Sequence, residues 1–531
     1  MLQTDRIPTV YPFLIIMFIL VIFGCSSIKN IREFHDPTRL NTSAVLNKSI
    51  KIHMTDGTLY LLDSLIKTGS SDTLSGFGSY YNQYREITLT NKSSQGDLIP
   101  PGFIIPLNKV ALLETNDISG YDGKVIGMTV VGVPTAIASI YCIINPKACF
   151  GSCPTFYGWN GKDTVLMAEG FSSSILRVYE KEDIDMLYHA KITGNNINLK
   201  LTNEALETHV IRYADLLVLP RKQNERIFAD EHGKFTSVTE IMSPSSCNAP
   251  EGDCLEKVLI MDQKERYSET DSNNLAAKEC VELNFNSVPD GNIGLIIGNR
   301  QTFLTTFLFY QSLAYLGHSA GNFAASIETG NKSLKKKTDR VWEVLGGIDI
   351  LYEDRDGNWI KASQINEMGP IASDVHLVRL PVTGQHSLKL KLRMTKGLWR
   401  IDYLALAKLG QSVEPLRLKP SVTHGESELC DRNNNPQLSD TLEPLITLPG
   451  DSYNLSYHLP SASEEYEVFL CSKGYYLEWM REPWLAEENL KKAALLFGFP
   501  ELFMKKAAKE FKLIEPNMEE NFWNSRYAKK N

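Results

Sequence analysis

The chain has 531 residues, enough for about three or four domains, and its 43% hydrophobic and 22% charged content is ordinary for folded globular material. A formal net charge of −8 leaves no basic excess to neutralise phosphates, which argues against a nucleic-acid partner. The one dense basic run, KSLKKK at Lys332 to Lys337, reads as a solvated loop.

The chain opens with MLQTDRIPTVYPFLIIMFILVIFGCSS. One arginine precedes an uncharged apolar stretch from Tyr11 to Gly24, and the stretch ends in Phe23-Gly24-Cys25. A small residue before a cysteine, closing a signal-like apolar run, resembles the lipobox of bacterial lipoproteins. Residues 1–24 are then a cleaved signal peptide and Cys25 the lipidated residue. The acyl chains supply the membrane affinity, because each buried methylene contributes about 0.8 kcal/mol. Ser26 stands where that class carries aspartate when retained at the inner membrane. The expected location is therefore the bacterial cell envelope, lipid-anchored at the outer membrane and facing the periplasm or the surface.

Residues 25–48 are polar and irregular and read as a tether. From 49 to 117 polar and apolar residues alternate, with Asp56-Gly57 at a hairpin position, which predicts a small β-roll or barrel. VIGMTVVGVPTAIASIYCII, Val125 to Ile144, has the length of a membrane span, but Pro134 and several Thr and Ser lower its apolarity. Residues 125–145 are expected as an apolar helix, membrane-associated or buried. Residues 147–242 cluster aromatic and β-branched residues between Asn-Gly and Gly-Asn turns and predict a β-rich domain. Ser243 to Asn274 is polar and loop-like. Residues 282–410 read as a β-sandwich with one inserted helix at 300–316. Its strand SLKLKLRM sets Leu388, Leu390, Leu392 and Met394 against Lys389, Lys391 and Arg393. Short strands follow over 415–475, and 476–531 is a helical tail. The fold class is mainly β and multidomain.

Nine cysteines leave eight after Cys25, an even number that permits full pairing in an exported chain. The best disulfide candidates are Cys247 and Cys254, at the ends of a loop with Pro250 and Gly252, and Cys149 and Cys153, separated by Phe-Gly-Ser. A zinc site would need paired C-x2-C spacings and nearby histidines, and a redox motif would need C-x-x-C opening a helix. Neither is present here, and no metal or cofactor is called for. DRDGN, Asp354 to Asn358, has the look of a cation loop, but its Asp-Gly turn accounts for it without calcium.

Gly317-His318-Ser319-Ala320-Gly321 matches G-x-S-x-G, the nucleophile elbow of α/β-hydrolases, where a serine sits on a strained strand-to-helix turn. Asp374 or Asp402 can orient His376, His386 or His424 in the matching chain order, and Ser319, Asp402 and His424 make the alternative catalytic set. Against it, the segment before the elbow has helical period, and the region lacks the alternating strands and helices of a parallel sheet. Trp359, just after a turn, is the better surface candidate among the tryptophans for contact with a glycan or an envelope protein.

CFGSCPTFYGWNG, AEGFSSSI, LKLTNEALETHVIRYADLLVL, LRMTKGLWRIDYLALA and EFKLIEPNMEENFWNSRY together resemble a family of bacterial lipoproteins with no assigned activity. The likeness runs from Lys147 to Tyr527. It implies a surface or periplasmic β-rich protein, assigns no catalytic residues, and implies that the place of Ser319 is not a nucleophile elbow. The expected role is binding or scaffolding in the envelope, with the membrane engaged through the N-terminal lipid; the alternative is a serine esterase using Ser319.

Overall fold

The computed structural model describes residues 29–35, 50–54, 58–66, 73–81, 87–91, 101–119, 153–205, 207–328, 330–366, 369–381, 384–424, 438, 444–447, 451–461, 465–478 and 482–525. Residues 1–24, expected as a signal peptide, Cys25, the apolar segment 125–145, and Cys149 lie outside the described residues. The molecule is mainly β, with several sheets and helices towards the C-terminus. The chain divides into two units, one of residues 1–53, 60–79 and 89–134, the other of 54–59, 80–88 and 135–531.

A seven-stranded sheet, most of whose residues fall in the smaller unit, has the order Lys29–His35, Val110–Ser119, Ile50–Met54, Leu59–Ile66, Thr73–Tyr81, Ile87–Thr90, with Phe103–Pro106 also paired to Thr73–Tyr81. Period-two alternation buries Leu74, Gly76 and Gly78 on one face. Gly78 is required there, because a Cβ would lie 1.9 Å from the Leu61 carbonyl oxygen. Lys29–His35 belongs to the stretch expected to be an irregular tether. It pairs antiparallel with Val110–Ser119 from Lys29 opposite Ser119 to His35 opposite Leu113. KNIREFH has too few apolar residues to announce a strand; an edge strand needs backbone partners more than an apolar face.

The larger unit stacks four sheets with three cores between them. The first has the order Ser421–His424, Ser452–His458, Asn196–Thr202, Thr155–Trp159, Thr164–Glu169. The second has Glu182–Met186, Glu465–Glu478, Glu207–Arg221, Leu416–Leu418, with Leu445–Thr447 also on Glu207–Arg221. Leu199, Leu201 and Tyr457 of the first meet Leu216, Val218 and Leu470 of the second in one core. Leu217, Leu219 and Phe469, the alternate residues of the same strands, face the other way and meet Ile296, Leu377 and Ala407 of the third sheet. That sheet runs Arg226–Ala229, Phe235–Met242, Trp399–Val413, Ile293–Gln301, Asp374–Leu380. Its opposite face packs Leu295, Ile297 and Leu404 against Leu283, Leu390 and Ile350 of the fourth. The fourth has the order Gly252–Asp253, Ser246–Ala249, Lys278–Phe285, Leu388–Thr395, Ile348–Glu353, Trp359–Ile365.

The stacking explains the residue patterns. The two inner sheets are covered on both faces, so their strands are apolar runs such as LLVL at 216–219 and LIIG at 295–298. The outer sheets keep one wet face and alternate: Asn196–Thr202 buries only Ile197, Leu199 and Leu201. The boundaries drawn at 242 and 415 do not separate sheets, since Glu207–Arg221 pairs with Glu465–Glu478 along almost its whole length.

Where one inserted helix was expected, three occur in series: Leu304–Leu316, Ala320–Glu328 and Lys332–Leu345. The basic run is the start of the last of these. Asn331 caps it by accepting the Leu334 N–H at 3.0 Å. The helix was legible after all: Thr338, Val341 and Leu345 fall on one face and are buried, and the lysines occupy the other. The C-terminal helices Glu482–Ala486, Leu490–Gly498 and Pro500–Ser525 follow, and Phe503, Met504 and Phe511 join the core between the third and fourth sheets. Among the described residues no helix is long and apolar enough to cross a membrane.

Candidate functional site

A cavity of about 990 Å³ opens within the larger unit. Its walls come from Thr164–Met167 of the first sheet, residues 186–189, the segment 261–269, the end of Ile293–Gln301, residues 371–373, and the helix Pro500–Ser525. The segment 261–269 is fixed to the strand Trp399–Val413 by a two-bond bridge: the Arg266 N–H donates to the Ile401 carbonyl at 2.7 Å and the Ile401 N–H to the Arg266 carbonyl at 2.9 Å.

At this place the ladder between Ile293–Gln301 and Trp399–Val413 slips. Gly298 faces Tyr403 and Asn299 faces Ile401, so Asp402 is the extra residue of a β-bulge. A bulge re-aims the side chain it carries. Here it sets Asp402 in the cavity wall at 1% exposure. Asp402 Oδ2 accepts the Gln263 N–H at 3.0 Å and the Asp262 backbone also bonds the carboxylate, while Oδ1 is buried without a hydrogen-bond partner among the described residues. Burial, with Glu265 and Asp262 adding repulsion, pushes its pKa up to about 6.

The other charges of the wall are ion-paired with one another, although Arg400 Nε is buried without an acceptor among the described residues. Arg300 forks onto Glu265, Nε to Oε1 at 2.5 Å and Nη2 to Oε2 at 2.7 Å, and reaches Glu519 at 2.7 Å. Arg400 bonds the same two carboxylates at 3.3 and 2.9 Å and stacks over the Tyr267 ring at 3.9 Å. Two guanidinium groups and two carboxylates thus neutralise each other with the planar geometry arginine favours. Glu515 accepts the Thr270 N–H at 2.6 Å and pairs with Lys512 at 2.7 Å, and Lys512 also reaches Glu269 at 2.8 Å. Burial, then Lys191 and Arg226, lower the His189 pKa, so this imidazole stays neutral near pH 7. Met167, Met186, Met261 and Met518 supply apolar wall between the charges. Gly298 admits Met261, since a Cβ there would lie 2.6 Å from its sulfur.

Of the residues singled out from sequence, only Asp402 lines this cavity. Ser319 lies in the 3-10 turn Gly317–Ser319 between two helices, with no strand before it. Gly317 holds φ at +50° where a Cβ would meet Glu488, so the glycine serves a helix–helix corner. His318 Nδ1 lies 2.8 Å from Glu488 Oε2. Among the described residues no hydrogen bond joins Ser319 to a histidine or a carboxylate. His424 stands on an edge strand of the first sheet, and Asp402 is in the third. His376 pairs with Asp374 at 2.9 Å.

Cys247 and Cys254 form a disulfide with Cα atoms 5.3 Å apart. Cys153 is a buried thiol whose S–H points to the Ser172 carbonyl oxygen at 3.7 Å. Cys280 and Cys471 are also free, against full pairing, because their strand neighbours are Arg393 for the one and Ile184 and Asp215 for the other. Trp359, on the edge strand Trp359–Ile365, is half-buried with Lys391 Nζ 4.1 Å from its ring centroid. It is not part of the cavity wall.

Sequence reasoning passed over Glu265, Tyr267, Arg300, Arg400 and Glu519. QKERYSE, 263–269, was read as loop for its polarity. The available signal was two arginines beside apolar strand residues, in IIGNRQ and LWRIDY, where a charge needs a buried partner.

No family model matches the chain, and no curated protein matches it. Among solved structures, a β-porphyranase of glycoside hydrolase family 86 from the human gut bacterium Bacteroides plebeius aligns at 8% identity with a TM-score of 0.15, covering 48% of this chain. The chain spans 43% of that enzyme's length.

Proposed function

We propose that this protein is an exported, lipid-anchored binding protein of the bacterial cell envelope, acylated at Cys25, that takes a ligand into the cavity of its larger unit. The observation that carries the binding reading is the bulged Asp402 carboxyl in a cavity whose other charges are already paired. Ligand sites are concave and combine apolar surface with placed polar groups; this wall is concave and mixes methionine and aromatic side chains with charged ones, more polar than most. The helical setting of Ser319 favours binding over ester hydrolysis. The envelope location rests on the FGCSS stretch at 23–27 and on the Cys247–Cys254 disulfide, a bond that persists in oxidising compartments.

The test has two arms on the full chain. Cells grown with an alkyne-bearing palmitate should label the protein and move it to the membrane fraction, and Cys25→Ser should lose both. Protein purified from its own envelope should carry a small molecule detectable by native mass spectrometry, absent from Ala372→Trp, which obstructs the cavity. Labelling that survives Cys25→Ser refutes the anchor. A bound molecule that survives Ala372→Trp refutes the cavity. Covalent labelling of Ser319 by a fluorophosphonate would restore the esterase reading.

A further inference from the structure

The class of ligand can be named, on the premise that the cavity is a binding site. Five carboxylates line it, Glu265, Glu269, Asp402, Glu515 and Glu519, against two guanidinium groups. Glu265 and Glu519 are spent on Arg300 and Arg400. Glu269 and Glu515 share the single Lys512. Asp402 has no ion-pair partner among the described residues, and its Oδ1 has no donor. Among the described residues both wall guanidinium groups are ion-paired, with Arg400 Nε the one guanidinium donor of the wall left without an acceptor, so the wall carries an excess of carboxylate. A buried carboxylate without a partner is costly, and a charge-assisted N–H bond is the usual remedy. The methionines that line the same cavity suit an apolar, polarisable body.

We propose that the cavity binds an organic ammonium ion whose N–H reaches the Asp402 carboxylate once the wall atoms that cover Oδ1 give way, its apolar body held against Met167, Met186 and Met261. The β-bulge that turns Asp402 into the wall is the device that selects the charge. Anionic ligands of the same shape leave Asp402 unpaired, and a neutral hydroxyl gives it a hydrogen bond without the opposite charge, so both bind more weakly.

Three probes with one naphthalene ring and three head groups make the test: 2-(2-naphthyl)ethylammonium, 2-(2-naphthyl)ethanol and 3-(2-naphthyl)propionate, titrated by calorimetry into the full chain. The ammonium is expected to bind about tenfold more tightly than the alcohol, and the acid most weakly. Asp402→Asn, which preserves volume, should cost the ammonium about tenfold and the alcohol much less. Should that variant fail to fold, the head-group order in the unaltered protein still decides. Equal or tighter binding of the alcohol or acid overturns the inference, as does an ammonium affinity untouched by Asp402→Asn, or no binding of the ammonium at about 10 mM. If the alcohol or acid binds and Ala372→Trp abolishes it, the cavity reading stands and the ammonium falls. If every probe binds Ala372→Trp unchanged, both fall.

Discussion

Arg266 and Asp402 are close neighbours with opposite fates. Both are buried, at 0% and 1% exposure, and both stand at the bridge that joins the segment 261–269 to the third sheet. Arg266 is closed: Nε and Nη2 hold Glu251 at 2.8 and 2.9 Å, and Nη1 holds Glu279 at 2.7 Å. Asp402 is open, with the backbone of Gln263 and Asp262 bonding its carboxylate but no ion-pair partner, and no hydrogen-bond partner for Oδ1, among the described residues. A buried charge whose bonds are all made holds the fold in register. One left incomplete weakens the fold and gives a partner something to complete.

The largest effect should come from breaking the closed set. Arg266→Ala strands Glu279, 6% exposed, and is expected to cost about 3–5 kcal/mol in chemical denaturation. A loss under about 1 kcal/mol would mean that the two charge sets do not differ as described. Next comes the disulfide that staples the same polar segment. Cys247→Ser should cost about 2–3 kcal/mol for so short a loop, and reductant should produce the same loss in the unaltered protein.

The third prediction concerns acidity. Burial pushes Asp402 and Asp183 up to about 6, and Glu169 and Glu487 up to about 7. Unfolded, these carboxyls titrate near about 4. The folded state therefore binds more protons between about pH 4 and pH 7, so these groups make the protein less stable as pH rises through that window. Asp402→Asn should remove its share and flatten the slope of melting temperature against pH, without abolishing it. A steeper slope in the variant would contradict the assignment. The smallest effect is expected at Trp359, whose ring is covered by Lys391. Trp359→Ala should cost about 1 kcal/mol or less and leave naphthylethylammonium binding unchanged. A lost affinity for an envelope fraction would instead make it a contact.

What could be read from the sequence followed the range of the signal. Alternation in SLKLKLRM, Leu388–Thr395 in the structure, is local and declared its strand, its buried face and its wet face. The runs LLVL and LIIG also declared strands, but not that both faces are covered, because that depends on sheets contributed by distant segments. Glu207–Arg221 and Glu465–Glu478 lie some 250 residues apart and share a ladder that no local pattern encodes. The segment 243–274 looked like loop because buried Arg266 and Glu251 read, one at a time, as surface charges. Asp402 drew notice as a possible triad member. Its setting depends on a one-residue slip in a ladder, which leaves no mark on composition or period.

The most direct test of the open carboxyl is a crystal structure of the full chain soaked with 2-(2-naphthyl)ethylammonium. The account predicts the ammonium nitrogen about 3 Å from Asp402 Oδ1, with the ring among the methionines. A probe seated elsewhere, or Asp402 Oδ1 found bonded to another side chain of the protein, would contradict it.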